Sequence, residues 1–212
     1  MKRLLFGSLF AMLVAVVAVA TLEAQSTAGW KIRADRSTNA SDPDAAGEIE
    51  FMAMGGGFHA ITPQAGVFWH PSSTASGSYT LKGNFTLMEP SGHNNYYGLV
   101  FGGSNLDNAQ QTYIYFLVAQ DGTWLVKHRA GDADVHEVAE KTASDAVNTP
   151  GANGQSVNAL EVRVGADSTD YVINGTVVHT TPKTGMTSVT DGTYGFRVNH
   201  RLNVSVGGLE VS

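Results

Sequence analysis

The amino-acid sequence predicts an all-β protein, an antiparallel sandwich of two sheets, and three observations carry that prediction. Runs of alternating apolar and polar residues recur along the chain, helical periodicity is nearly absent after the first segment, and turn-forming residues separate the runs. The clearest stretch is 158–212, NALEVRVGADSTDYVINGTVVHTTPKTGMTSVTDGTYGFRVNHRLNVSVGGLEVS, where such runs follow one another between turn residues. Composition agrees, because 24 glycines and only 15% charged residues suit a sheet-rich body with tight turns.

The amino terminus comes first. Lys2 and Arg3 precede an unbroken apolar run from Leu4 to Ala20, and small residues follow at Ala20 and Ala24, the three parts of a secretory signal. A run of about 17 residues is at the lower limit for crossing a bilayer. Residues 1–24 are therefore read as a signal peptide cleaved after Ala24, with Ala20 as the second site. No later apolar run has spanning length, so the expected product is soluble and either secreted or periplasmic. Residues 25–212, roughly 188 in number, form a single expected domain, a size that all-β sandwiches reach without dividing. The chain has no cysteine, so core burial, or an ion, must hold an exported fold together.

Strands are expected at 30–36, 48–54, 66–70, 79–87, 96–102, 112–119, 124–129, 134–139, 158–164, 170–174, 176–181 and 194–206. In 79–87, YTLKGNFTL, the odd positions are apolar or glycine and the even ones polar, so one face is buried and the other wet. Asp121-Gly122 and Asn174-Gly175 join strand-like flanks and read as hairpin turns. A two-residue loop at Asn174-Gly175 sets Ile173 opposite Thr176 and Asp170 opposite His179. Residues 144–157 are small and polar and read as a loop. The runs Gly55-Gly56-Gly57, Gly102-Gly103 and Gly207-Gly208 read as bulges; no helix follows them, which excludes a nucleotide-phosphate cradle. A net charge of −6 argues against nucleic acid, whose phosphates need clustered Lys and Arg, and favours uncharged ligands.

The candidate binding chemistry centres on the 112–129 hairpin. A two-residue turn there places Tyr113, Tyr115, Leu117, Trp124, Val126 and His128 on one face, with Ile114, Phe116, Val118 and Leu125 on the other and Lys127 and Arg129 toward its end. A bulged turn would shift one strand by a residue and mix the two faces. An aromatic face with a polar rim suits sugars, whose ring C–H groups pack on a π face while their hydroxyls need directional partners. The competing account makes the same aromatics core. In GHNNYYG, 92–98, His93, Asn94 and Asn95 stand before Tyr96 and Tyr97, where loop amides can grip hydroxyls or simply form the turn.

Seven histidines include no His-x-His or His-x-x-x-His pattern and no cysteine joins them, so no transition-metal site is expected. Calcium is compatible with Asp107, Asp132 and Asp134 in loops. Glycoside hydrolysis needs two carboxylates flanking the scissile bond. Glu48 and Glu50 alternate with Ile49 and Phe51 and share a face, but EIEFMAM lacks the middle Asp and final Glu of the E-x-D-x-x-E pattern of laminarinase-type glucanases. No serine lies in a G-x-S-x-G elbow.

The succession GSYTLKGNFTL, NYYGLVFGG, QQTYIYFLVAQDGTWLVKHR, ALEVRVGADSTDYVINGTVVH and DGTYGFRVNHRLNVSVGGLEV resembles the concanavalin-A-like jelly rolls of exported bacterial proteins. It is most similar to the 3-keto-disaccharide hydrolase domain group, and more distantly to laminin-G-like modules. The resemblance covers roughly 77–212 and the first strand at Trp30, and implies a jelly-roll arrangement of the two sheets. Departures from the hydrolase pattern stand at Gly102, where that group has an Arg, and at Tyr113, Ile114, Tyr115 and Phe116, where it carries polar and acidic residues. The closing turn of that group corresponds to Gly195-Phe196-Arg197-Val198-Asn199-His200.

The resulting expectation is an exported, lectin-like protein that binds glycan or polysaccharide on a concave aromatic face without cutting it. Tyr113, Tyr115 and Trp124 would stack; His128, Arg197 and Asn199 would supply polar partners, the last two on one side of their strand. No cofactor is expected beyond calcium. Two alternatives remain: a glycoside hydrolase or lyase using Glu48 or Glu50 as acid/base, and a structural component of an envelope or extracellular assembly.

Overall fold

A computed structural model describes residues 26–212; the predicted signal at 1–24 lies outside the described residues. Among the described residues, fourteen strands run in chain order as β1 Lys31–Asp35, β2 Glu50–Met54, β3 Gly57–Thr62, β4 Ala65–Ala75, β5 Tyr79–Leu87, β6 Tyr96–Ser104 and β7 Thr112–Ala119. They continue as β8 Thr123–Ala130, β9 Asp134–Ala143, β10 Ser156–Val164, β11 Ser168–Ile173, β12 Thr176–Pro182, β13 Gly192–Val198 and β14 Leu202–Val211. They form two antiparallel seven-stranded sheets, ordered β1-β4-β13-β6-β7-β8-β9 and β12-β11-β10-β5-β14-β3-β2. This is the expected two-sheet jelly-roll sandwich.

Two stretches differ from the sequence expectation. Residues 57–62 are a strand, because Gly55 and Gly56 at φ 57° and 83° make a tight turn, not a bulge, and pair Met54 with Gly57. The run 194–206 is two strands, broken at Asn199–Arg201, where Arg201 adopts φ 58°. Gly102-Gly103 and Gly207-Gly208 do lie at register shifts, as the bulge reading required.

The core between the sheets follows the alternation. Phe68, Leu99, Phe101, Ile114, Phe116, Val118, Val126 and Phe196 from the first sheet meet Phe58, Leu81, Phe85, Leu160, Val162, Tyr171 and Val204 from the second, all buried. Phe68 and Phe196 stack at 4.7 Å, beside Phe51, Phe58 and Trp30. The Asn174-Gly175 turn pairs Ile173 with Thr176 as expected, but a bulge at Val178 sets His179 opposite Tyr171. Asp170 therefore faces Thr180, whose hydroxyl donates to it at 2.7 Å, and the expected Asp170–His179 pair does not form.

The first sheet has a second apolar side. Val67, Trp69, Val100, Leu106, Tyr113, Tyr115, Leu117 and Leu125 form a separate buried cluster on the face turned away from the sandwich core. Strong curvature buries it. β1 and β8 are five strand steps apart, about 24 Å in a flat sheet, yet Asp35 of β1 bonds directly to Arg129 of β8. Arg33–Asp132 at 2.6 Å closes the same gap, and Lys31 reaches Asp107 in the β6–β7 loop at 3.2 Å. The sheet thus folds over its own concave face, and polar side chains form the seam.

Candidate functional site

The register of the β7–β8 hairpin decides which aromatics reach this concave side. Val118 pairs with Trp124 and Tyr113 with Arg129, so the loop Gln120–Gly122 has three residues, with Gly122 at φ 81°. The bulged turn moves β8 by one residue relative to the two-residue expectation. Trp124 consequently joins the inter-sheet core, edge-on to Phe116 at 6.3 Å, and is not a stacking platform. His128 falls on the same side as Ile114; it contacts Thr112 Oγ1 at 3.1 Å and stacks on His136, away from the cleft described below. Burial, then His136, lower its pKa and favour the neutral ring. Arg129 takes the place on the concave side that the shorter turn gave to His128.

Tyr113 and Tyr115 are on the expected side but only 1% and 6% exposed, so neither presents a ring to solvent. They support Arg197 instead. The Arg197 guanidinium lies over the Tyr115 ring at 5.4 Å. It donates through Nη1 to Tyr113 Oη at 3.1 Å, through Nε to Asn199 Oδ1 at 2.8 Å, and through Nη2 to Asp35 Oδ2 at 2.8 Å. Arg197 on β13 and Asn199, one residue past its end, do share a side. Burial raises the pKa of Tyr115, and Arg197 opposes it only in part, so the phenol stays neutral.

Asp35 is the hinge of the constellation and has no signal in the sequence. Burial alone would raise its pKa, but the attraction of Arg197 and Arg129 and their hydrogen bonds outweigh burial and hold the carboxyl below its ordinary value. Both guanidiniums converge on Oδ2, and among the described residues no donor reaches Oδ1. Arg129 also donates to the Asp132 carbonyl at 3.0 Å, while its Nε is buried without a partner.

Above this floor opens a cleft of about 370 Å³, walled by the 36–42 loop, the turn after β8 and the β13–β14 turn. Arg36, Arg129, Arg197, Asp35, Asp42 and Asp132 line it, so its formal charges balance, and Asn39, Asn95 and Asn199 add amides. Internal bonds shape the loop: Ser37 Oγ donates to the Asp42 carbonyl at 2.7 Å, and the Ser37 amide to Asp44 at 2.9 Å. The loop is also fastened to the β13–β14 turn, where Arg201 donates to the Pro43 carbonyl at 2.8 Å and His200 Nδ1 meets Asp44 Oδ1 at 3.0 Å. Asn95 donates to the His200 carbonyl at 2.8 Å. His93 Nε2 lies 2.8 Å from Asp42 Oδ1 at the rim, so the 92–98 segment does reach the site.

Glu48 and Glu50 are elsewhere, both exposed: Glu50 opens edge strand β2 in the other sheet and Glu48 lies two residues before it. Neither lines the cleft. Asp107 is paired with Lys31, and Asp132 with Arg33 and Gln111.

No protein-family model matches the chain and no curated protein sequence matches it. Among solved structures it is similar to the carbohydrate-binding module CBM66 from Bacillus subtilis, at 12% identity over 87% of this chain and 95% of that one, with a TM-score of 0.61. The chain shares that two-sheet fold. It is similar also to the carbohydrate recognition domain of Emp46p, at 12% identity over 87% and 88% of the two chains and a TM-score of 0.54. A β-1,3-glucanase from Mycobacterium marinum aligns at 10% identity over 90% and 94%, with a TM-score of 0.51. At these identities the likeness is one of fold.

Proposed function

We propose that this protein is an exported carbohydrate-binding module that holds a neutral glycan in the cleft above Asp35, Arg129 and Arg197. The observation that carries the reading is the balanced, directional lining: three arginines, three aspartates and three asparagines in one open cleft. A hydroxyl-rich ring needs both donors and acceptors at fixed angles, and a wall without net charge neither requires nor repels an ionised ligand. The floor is pre-organised, because Tyr113, Tyr115, Asn199 and Asp35 fix the Arg197 guanidinium before any ligand arrives. Recognition by hydrogen bonding replaces the aromatic stacking expected from sequence. A carbohydrate-binding module and a carbohydrate recognition domain with the same fold support the reading. Export rests on the signal-like amino terminus.

The test is a calorimetric screen of neutral and uronate-containing polysaccharides, with calcium and with chelator, on the parent and on Asn199→Ala. Neutral glycans should bind, and Asn199→Ala should weaken binding about tenfold or more, the worth of one or two directional hydrogen bonds. Exclusive binding of uronates, or an unchanged affinity in Asn199→Ala, would refute the reading.

A second reading is a hydrolase or lyase of the 3-keto-disaccharide type. One observation favours it: Asp42, His93 and His200 place titratable groups at the rim of the same cleft. It predicts product release that disappears in Asp42→Asn and persists in Glu48→Gln and Glu50→Gln.

A further inference from the structure

The rim cluster has a geometry that hydrogen bonding by itself does not explain. Asp42 Oδ1 faces two imidazole nitrogens at once, His93 Nε2 at 2.8 Å and His200 Nε2 at 3.1 Å, and the two rings lie 5.2 Å apart. His200 is 6% exposed, and its Nε2 is buried without a hydrogen-bond partner although a carboxylate oxygen is close by. Its other nitrogen, Nδ1, is 3.0 Å from Asp44 Oδ1, an arrangement in which Nδ1–H donates to the carboxylate. In the neutral ring that leaves the Nε2 lone pair buried and unpartnered, 3.1 Å from the Asp42 oxygen. A cation bound by both residues would give that buried nitrogen the partner it lacks.

We infer that Asp42, His93 and His200 form a binding site for a divalent transition ion of the zinc class, with Asp44 as the carboxylate that orients His200. Two imidazoles and one carboxylate are a donor set that zinc takes readily, and three protein ligands leave a fourth position for water or a ligand oxygen. The spacing fits: donors around one tetrahedral ion at 2.0–2.1 Å lie roughly 3.3 Å apart, and the three donor atoms here all lie within 4.8 Å of one another. The ring of His200 is already held by Asp44, by its burial and by the Asn95 bond to its carbonyl. The ion would occupy the unpartnered Nε2 of His200 and tie the 36–45 loop to the 91–95 segment and the β13–β14 turn. Asp42 and His200 also line the glycan cleft, so the fourth position belongs to the cleft rim. The three donors are far apart in the chain, which is why local spacing around the histidines gives no sign of the site.

The inference does not depend on glycan binding and is tested without a glycan. The tag-free protein, secreted from an expression host and stripped with chelator, is titrated with Zn2+, Ca2+ and Co2+ by calorimetry, and cobalt binding is followed in the visible spectrum. The expected result is about one Zn2+ per chain, calcium binding far weaker, and the d–d bands of tetrahedral cobalt. His93→Gln and Asp42→Asn alter partly exposed side chains and should fold, as checked by circular dichroism of the metal-free proteins; each should lose at least about 100-fold in zinc affinity. Asp44→Asn should keep the three ligands and weaken binding about 10- to 100-fold, the usual effect of removing a carboxylate behind a ligating histidine. Absence of stoichiometric zinc binding, or cobalt bands unchanged in folded His93→Gln, would overturn the site and leave the cluster as a histidine–carboxylate ion-pair network.

Discussion

Replacing Asp35 with Asn removes the one anion shared by two arginines and leaves the shape almost unchanged. The side chains of Arg129 and Arg197 are 8% and 9% exposed, and Asp35 itself 22%. Removing one partner of a fully buried ion pair costs about 3–5 kcal/mol, because the surviving charge stays desolvated. Partial access of water at Asp35 lowers this to roughly 2–3 kcal/mol here. For a domain of this size each kcal/mol moves the midpoint by about 2–4 °C, so Asp35→Asn should melt roughly 4–12 °C below the parent at pH 7. The pH dependence has a fixed sign. The native pKa of Asp35 lies below the ordinary 3.8, so the unfolded chain binds the proton first as pH falls. The stabilisation is complete above that ordinary value and is lost as pH drops through the native one. The gap between parent and variant, followed by scanning calorimetry from pH 7 downward, should therefore narrow only in acid. A midpoint change under about 1 °C at pH 7, or a gap that stays constant into acid, would show that the seam across the concave sheet is solvated and contributes nothing.

Trp124→Ala should act on stability, not on ligand contact. It empties a site in the inter-sheet core beside Phe116 and His179 and should cost about 3–5 kcal/mol by denaturant titration; an equally stable variant would return Trp124 to the surface. Gly195→Ala should destabilise by about 1–3 kcal/mol or more, since a Cβ there would collide with the Phe68 carbonyl oxygen, whereas Gly207→Ala, with nothing within 4 Å, should stay within about 0.5 kcal/mol of the parent. Asn174→Gly keeps the left-handed turn at φ 49° but deletes bonds to the Ala159 amide at 2.8 Å, the Ala146 carbonyl at 2.8 Å and Asn158 at 3.0 Å. A loss of about 1–3 kcal/mol in chemical denaturation is expected, and no loss would mean that these bonds are exchanged for water at no cost.

Much of the architecture was legible because strand formation is written locally. Alternation along 79–87 and 158–164 puts Leu81, Phe85, Leu160 and Val162 in the core, and Asn174-Gly175 closes its hairpin at the expected pair. What local pattern fails to fix is register. One extra residue in the 120–122 loop sends Trp124 inward and Arg129 outward, and one bulge at Val178 separates Asp170 from His179. A period of two turns every one-residue slip into a change of face.

The sequence by itself determined the two-sheet class, the strand succession, and the sharing of one side by Tyr113 and Tyr115 and by Arg197 and Asn199, since each follows from neighbours along one strand. Only the tertiary structure decided what that side is. Curvature across six strands brings Asp35 of one edge onto Arg129 near the other, burying both tyrosines under a guanidinium. Loop paths over the adjacent strands β13 and β6 gather Asp42, His93 and His200 from three distant segments. Contacts between distant segments depend on sheet order, twist and loop path together, and no spacing along the chain records them.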